Sequence, residues 1–226
     1  ITINPTNTVS VNGAYDISTA SYVQNFAIGS QDAYPTDITF NNGGTKMYVI
    51  GTSGDDVNEY SLSTAFDVSS ASFAGNSERF SVAAQENYPN GLGFNNDGTK
   101  MFVVGQAGDD VNEYSLSTAF DVSTASYVQR FLVSSQESIP RDITFNTDGT
   151  KMYVVGGSWT STKVSEYSLS TAFDVSTASY VQLFSVNSEA DRPRDIAFNN
   201  DGTKMFIVDQ NGAKGVNEYN LTTAFD

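Results

Sequence analysis

One short phrase occurs four times in this chain. It reads FNNGGTKMYVIG at residues 40–51, FNNDGTKMFVVG at 94–105, FNTDGTKMYVVG at 145–156 and FNNDGTKMFIVD at 198–209. Each copy ends an apolar run at Phe, turns through Asn, Asp or Gly, Gly and Thr, and opens a second apolar run. A Gly after Asn or Asp supplies the positive φ that a tight hairpin needs, so the phrase predicts strand, turn, strand. Longer units surround it, beginning at Asp16, Asp67, Asp121 and Asp174, with Asp226 placed to begin a fifth. A period just above fifty residues with such a hairpin inside it predicts one β-propeller blade per unit.

Each unit divides into four strands. The first spans residues 21–29, 78–82, 126–133 and 179–186, and the second spans 37–40, 91–94, 142–145 and 195–198. The third is the KMYVI-type run, and the fourth is VNEYSLS at 57–63 with counterparts from Val111, Val164 and Val216. KMFVV has no polar alternation, as expected of a strand buried on both faces, whereas VNEYSLS and SYVQRFLV alternate and suit the outside of a blade. No segment carries a helical period. One blade cannot bury both its faces, so blades must stack. The expected fold is all-β: a four-bladed β-propeller with four antiparallel strands per blade. Residues 16–226 form the domain (units 16–66, 67–120, 121–173 and 174–226), behind a leader or linker strand at 1–15. Pairing of 21–29 with 216–222 is expected to close the ring and remove two exposed sheet edges.

Charge narrows the partners. The chain carries 26 Asp and Glu against 11 Lys and Arg, a formal charge of −15, which argues against nucleic acid and anionic membrane surfaces. No stretch approaches the roughly 20 apolar residues of a membrane span. With no Cys and no His, disulfides, thiolate metal sites and the commonest general base are absent. Abundant Ser, Thr and Asn with an acidic balance fit an extracellular setting or a cell or virion surface.

The hairpin and its flanks, P-x-D-I-x-F-N-x-D-G-T-K-M-[YF]-V-V-G, resemble the repeats of bacterial and phage-associated β-propellers over residues 16–226. In that broad group a strand ends at Phe, a DGT turn follows, and the next strand reads like KMYVV. The resemblance implies the fold. Its members include lactonases, sugar-binding modules and structural scaffolds, and the lactonase type uses His together with metal-binding carboxylates.

Differences between the copies locate the candidate site. Two loops per unit vary: the one before the innermost strand (30–36, 84–90, 135–141, 187–194) and the one after the KMYVV run (52–56, 106–110, 157–163, 210–215). In a propeller both open on one face. The first two units present Asp32, Asp55, Asp56, Glu86, Asp109 and Asp110 with Tyr34 and Tyr88. The last two present Arg141, Lys163, Arg192, Arg194 and Lys214 with the single Trp, Trp159. An aromatic beside carboxylates suits a sugar, so Trp159, Tyr34, Tyr88, Asp55, Asp109, Arg141, Arg194 and Lys163 are the expected ligand-binding residues. Asp37, Asp142 and Asp195 open three innermost strands, with Gly91 in the fourth place. They should converge at the channel mouth, where repulsion calls for a cation such as calcium or for hydrogen-bond donors. No other cofactor is required.

These residues predict an extracellular binding module for a glycan or other polar cell-surface ligand, and not an enzyme. The alternative is a structural protein that self-associates through edge strands into a fibre or array. A carboxylate-dependent hydrolase is the third reading.

Overall fold

The computed structural model describes residues 21–157, 161–211 and 214–226. Four antiparallel sheets stand as four propeller blades. Each hairpin phrase supplies the two inner strands of a blade: β1 (Pro35–Phe40) and β2 (Lys46–Gly51), β6 (Pro89–Phe94) and β7 (Lys100–Gly105), β10 (Pro140–Phe145) and β11 (Lys151–Gly156), β14 (Pro193–Phe198) and β15 (Lys204–Asp209). The third strands are β3 (Asp56–Leu62), β8 (Asp110–Leu116), β12 (Lys163–Leu169) and β16 (Val216–Asn220). Outermost are β9 (Ala125–Leu132) in the second blade and β13 (Ala178–Ser185) in the third. In the first blade the outer strand is broken into β4 (Ala71–Phe73) and β5 (Arg79–Ser81), because the segment AGNSE interrupts it and Gly75 turns at a φ of 111°. The four-bladed architecture is thus the one the repeats predict.

The hairpin glycines carry two constraints at once. Gly44, Gly98, Gly149 and Gly202 sit at φ of 65–72°. A Cβ on any of them would also lie within 2.1–2.3 Å of a Phe ring: Phe66, Phe120, Phe173 or Phe225. The DGT aspartates are scaffold, since Asp97, Asp148 and Asp201 each accept the N–H and the hydroxyl of the Thr two residues on.

Apolar side chains fill the spaces between blades. Tyr48, Ile50 and Val57 of the first blade meet Leu92, Met101, Val103 and Tyr114 of the second. The same arrangement recurs between the second and third blades and between the third and fourth. The phenylalanines that end the inner strands are half-buried. Three of them stack on the neighbouring blade, with ring centroids 4.7 Å apart for Tyr48 and Phe94, 4.6 Å for Phe102 and Phe145, and 4.7 Å for Tyr153 and Phe198.

A polar latch reinforces each of these contacts. Lys46 pairs with the buried Glu59 at 2.6 Å, and the same pair recurs as Lys100–Glu113 (2.7 Å) and Lys151–Glu166 (2.8 Å). Each of these ammonium groups also donates to a carbonyl that follows the next blade: Lys46 to Phe120, Lys100 to Phe173 and Lys151 to Phe225. Glu59 and Glu113 accept the N–H of Val122 and Val175 from those same turns. A buried carboxylate is tolerated only when its lone pairs are taken up, and here a cation and a backbone donor take them up.

Closure departs from expectation. Residues 21–28 form no strand, and among the described residues the fourth sheet holds β14, β15 and β16 with no outer strand beyond β16. The segment instead lies against the first blade: Phe26 meets Tyr60 edge-on at 5.7 Å, and Gln24 donates to Asp67 at 2.6 Å. Those contacts hold Phe26 and Gln24 on the first blade without any pairing to β16, while Tyr22 and Val23 stay exposed. The expected leader strand at 1–15 lies outside the described residues.

One repeat breaks the latch pattern. Gln129 bridges the carboxylates of Glu113 and Asp174, and Gln182 bridges Glu166 and Asp226. The corresponding residue of the first blade is Glu78, and its oxygens gather with those of Glu59 and Asp121 within 4.8 Å of one another. Three carboxylates stand where the other repeats place two and a donor. Glu78→Gln should therefore stabilise the protein by about 1 kcal/mol, the net value of a typical hydrogen bond with one like charge removed. Urea unfolding checks it, and a Gln variant no more stable than wild type refutes it.

Candidate functional site

A register irregularity repeats at the mouth of the channel. In every blade it falls between the Pro that opens the inner strand and the Asp or Gly two residues on: Pro35/Asp37, Pro89/Gly91, Pro140/Asp142 and Pro193/Asp195. The intervening residue has no partner on the second strand. Such bulges re-aim a side chain, and here they aim Thr36, Asn90, Arg141 and Arg194 at one cavity of about 750 Å³. Tyr34, Tyr88, Thr52 and Gln210 complete its polar and aromatic lining.

The tyrosines are placed by buried acids. The backbone N–H of Tyr34 donates to Asp32, that of Tyr88 to Glu86 and that of Ile139 to Glu137. These carboxylates fit over glycines of the second strand; a Cβ on Gly51 or Gly105 would strike Asp32 or Glu86 at 2.5 Å or less. In the fourth blade the pair is exchanged. Ala190 stands where the acid was, Asp209 stands where the Gly was, and Asp209 accepts the N–H of Arg192. The exchange keeps one hydrogen bond while moving its acceptor from loop to strand. Asp32 and Glu86, read from the sequence as part of an acidic face, are buried supports of the loops instead.

Positive charge collects on one side of the cavity. Arg141 is buried, reaches Asn90 at 3.4 Å and makes no salt bridge among the described residues. Burial, and the neighbouring Arg194 and Arg192, pull its pKa down to about 10. Arg194 is anchored on Gln210 at 2.7 Å, and burial with Arg192 lowers its pKa in the same way. Guanidinium groups whose pKa is lowered by burial and by neighbouring positive charge favour an anion beside them.

Below the arginines lie the channel carboxylates. Asp37 accepts the N–H of Ile38 at 2.6 Å and of Leu92 at 2.7 Å, and Asp142 accepts that of Ile196 at 2.9 Å. Burial first and the charge of Asp195 second raise Asp37 to about 7. Burial raises Asp142 well above the ordinary carboxylate range, with further contributions from Asp37, Asp195 and a hydrogen bond to Asp195. Gly91 makes room for this group, since a Cβ there would meet the Asp142 carboxylate at 2.6 Å. The expected convergence is present: backbone donors hold Asp37 and Asp142, and burial with mutual repulsion favours their protonated forms. The channel beneath encloses about 540 Å³ between the four inner strands.

The remaining candidates stand apart from the cavity. Asp55 and Asp109 occupy turns at φ of 51° and 47°, and their carbonyls accept the N–H of Val82 and Val133. Asp56 and Asp110 face Arg79 and Arg130 on the outer part of their blades. Lys163 pairs with Glu137 at 3.6 Å. Trp159 lies outside the described residues. Sequence reasoning passed over Thr36 and Asn90, whose signal was the x of P-x-D that they share with Arg141 and Arg194.

No protein-family model and no curated protein sequence matches the chain. Its fold is shared with solved structures. One is described as a candidate 6-phosphogluconolactonase of Bacteroides fragilis (16% identity, TM-score 0.56, 81% of this chain and 53% of that one). Another carries the same description in Bacteroides uniformis (17%, 0.57, 83% and 53%). A third is a luciferin-regenerating enzyme (14%, 0.50, 80% and 55%). The chain therefore spans about half the length of these structures. Such identities establish the fold alone. They nonetheless correct the expectation that this chain is not an enzyme, because proteins named as enzymes are built on the same blades.

The raised carboxylates set a pH dependence. Asp37 binds its proton more tightly folded than unfolded, so its ionisation costs stability progressively from about pH 4 to about pH 7. Asp37→Asn should melt above wild type at pH 8, with the difference vanishing near pH 4. Thermal melts across that range, with and without millimolar calcium, check it. A calcium-dependent rise in the wild-type melt that Asp37→Asn abolishes would assign the charge balance to a cation instead of a proton.

Proposed function

We infer that the channel-mouth cavity binds a polar ligand carrying an anionic group, most simply a sugar acid or an acidic glycan. One observation carries the reading: Arg141 and Arg194 converge on the cavity, and among the described residues neither has a carboxylate salt bridge. A carboxylate or phosphate fits paired guanidinium groups with charge-assisted hydrogen bonds. Tyr34 and Tyr88 are exposed at the rim and offer flat apolar faces to a sugar ring. Thr36, Asn90 and Gln210 supply neutral partners for hydroxyls. In this proposal the protein works outside the cell or on a cell or virion surface, as its composition suggests, and its acidic balance keeps nucleic acid away.

A second reading is favoured by the carboxylates below. Asp37, with a pKa of about 7, is suited to exchange a proton at neutral pH. Hydrolysis of a lactone or ester of the same ligand would use Asp37 to take a proton from attacking water, with Arg141 facing the oxyanion that forms. The names of the structural neighbours agree with this chemistry, and it needs neither His nor a thiolate.

Calorimetry with a uronic acid, its neutral parent sugar and inorganic phosphate tests the proposal. The acid should bind and the neutral sugar should bind at least tenfold more weakly. Arg141→Gln should cost about 2 kcal/mol, the range for a charged hydrogen bond, and Tyr88→Ala should weaken sugar acid but not phosphate. Equal binding of acid and neutral sugar, or indifference to Arg141→Gln, would defeat it. Incubation with sugar lactones separates the second reading: Asp37→Asn should abolish turnover while leaving affinity for the acid intact.

A further inference from the structure

Each blade has a leading face and a trailing face. Three leading faces are covered by the trailing face of the following blade, and those contacts bury Ile50 and Val57, Val104 and Val111, and Val155 and Val164. At the fourth blade the equivalent residues Val208 and Val216 are 36% and 46% exposed. At the first blade Ile38 is 52% exposed, although its equivalents Leu92, Ile143 and Ile196 are buried. Leu92 and its counterparts are the residues that cover Ile50 and its counterparts. The two exposed faces are therefore complementary by the construction of the repeat.

Their polar groups match as well. Lys204 and Glu218 form the fourth Lys–Glu pair, and both are about 40% exposed. In the other three blades the Lys grips a Phe carbonyl of the following turn, and in the first two the Glu also takes a Val N–H there. The corresponding turn of the first blade, with Phe66 and Val68, has its Phe ring exposed at the surface. Edges complete the match. Among the described residues β16 has no outer strand, and residues 21–28 occupy the outer-strand position against the first blade, with Phe26 on Tyr60 as Phe131 is on Tyr167. They pair with no strand.

We propose that a second copy of this chain docks head to tail on these faces. The fourth blade of one copy covers Ile38 and Phe66 of the other, Lys204 donates to that copy's Phe66 carbonyl, and its residues 21–28 add to β16. A second copy fits better than closure within the chain. Inner strand β1 stacks on β6, β6 on β10 and β10 on β14, but β14 makes no comparable contact with β1. The four blades also superpose on about half of much longer propellers, so they follow a wider arc than one copy completes. A heterologous contact made twice closes a ring of two and leaves no edge.

Light scattering of the 226-residue chain at micromolar concentration should give twice its 24.3 kDa mass. Val208→Asp and Ile38→Asp should each halve that mass while circular dichroism and the melting profile show a folded protein. Mixing the two variants restores one intact junction, because each retains the face the other lacks, and the doubled mass should return. A monomeric wild type overturns the proposal, as does a doubled mass that survives both substitutions. Failure of the mixture to recover overturns the head-to-tail arrangement, since a face-to-same-face dimer gives that result.

Discussion

The turn that follows each blade carries more of the structure than any other element. Its Phe sits at a φ of 54–59°, a conformation that costs a non-glycine residue strain. The strain is offset by what the geometry makes available. The Phe N–H bonds the hairpin Gly carbonyl at 2.9 Å in all four blades, the ring covers that Gly, and at Phe120 and Phe225 the carbonyl accepts both a Lys and a Tyr hydroxyl from the preceding blade. One residue thus ties a hairpin to its own blade and that blade to its neighbour. The near-identity of FNxDGTKM and STAFD through the chain follows from this, because a change at Gly, Lys, Glu or Phe breaks contacts in two blades.

With the blades fixed, the face that carries the candidate site is free to vary. The bulge after each opening Pro presents one side chain per blade to the same point, and the backbone hydrogen bonds of the sheet do not depend on which side chain it is. Thr, Asn, Arg and Arg occupy the four places. The mouth is lopsided in charge as a result, although the backbone beneath it repeats from blade to blade. Below it the Asp, Gly and Asp positions of the first three blades are constrained, since Asp37 and Asp142 each take a backbone N–H of the next inner strand and Gly91 must leave space for Asp142.

The acidic balance of the chain has a similar division. Many carboxylates that look in sequence like a binding surface act inside the scaffold. Asp32, Glu86 and Glu137 hold loops, Glu59, Glu113 and Glu166 belong to latches, and Asp97, Asp148 and Asp201 hold turns. The charged groups left facing the cavity are mainly arginines. Net charge therefore misdescribed the local field, because burial and hydrogen bonding withdraw particular acids from the surface.

The sequence by itself determined the blades. The hairpin chemistry of Asn, Asp and Gly, the unbroken apolar runs at KMYVV and the period above fifty residues are local signals, and the local backbone obeys them. It also marked Tyr34, Tyr88, Arg141 and Arg194, since loop differences among copies stand out against a constant frame. Only the tertiary structure decided that these four share one cavity while Asp55, Asp109 and Lys163 do not, because a register bulge sets direction and leaves no trace in composition. The fate of residues 21–28 was likewise a tertiary matter. Their pattern is that of an outer strand, but a strand needs a partner edge. Phe26 and Gln24 find their partners on the first blade, whereas the edge of β16 belongs to the far end of the arc.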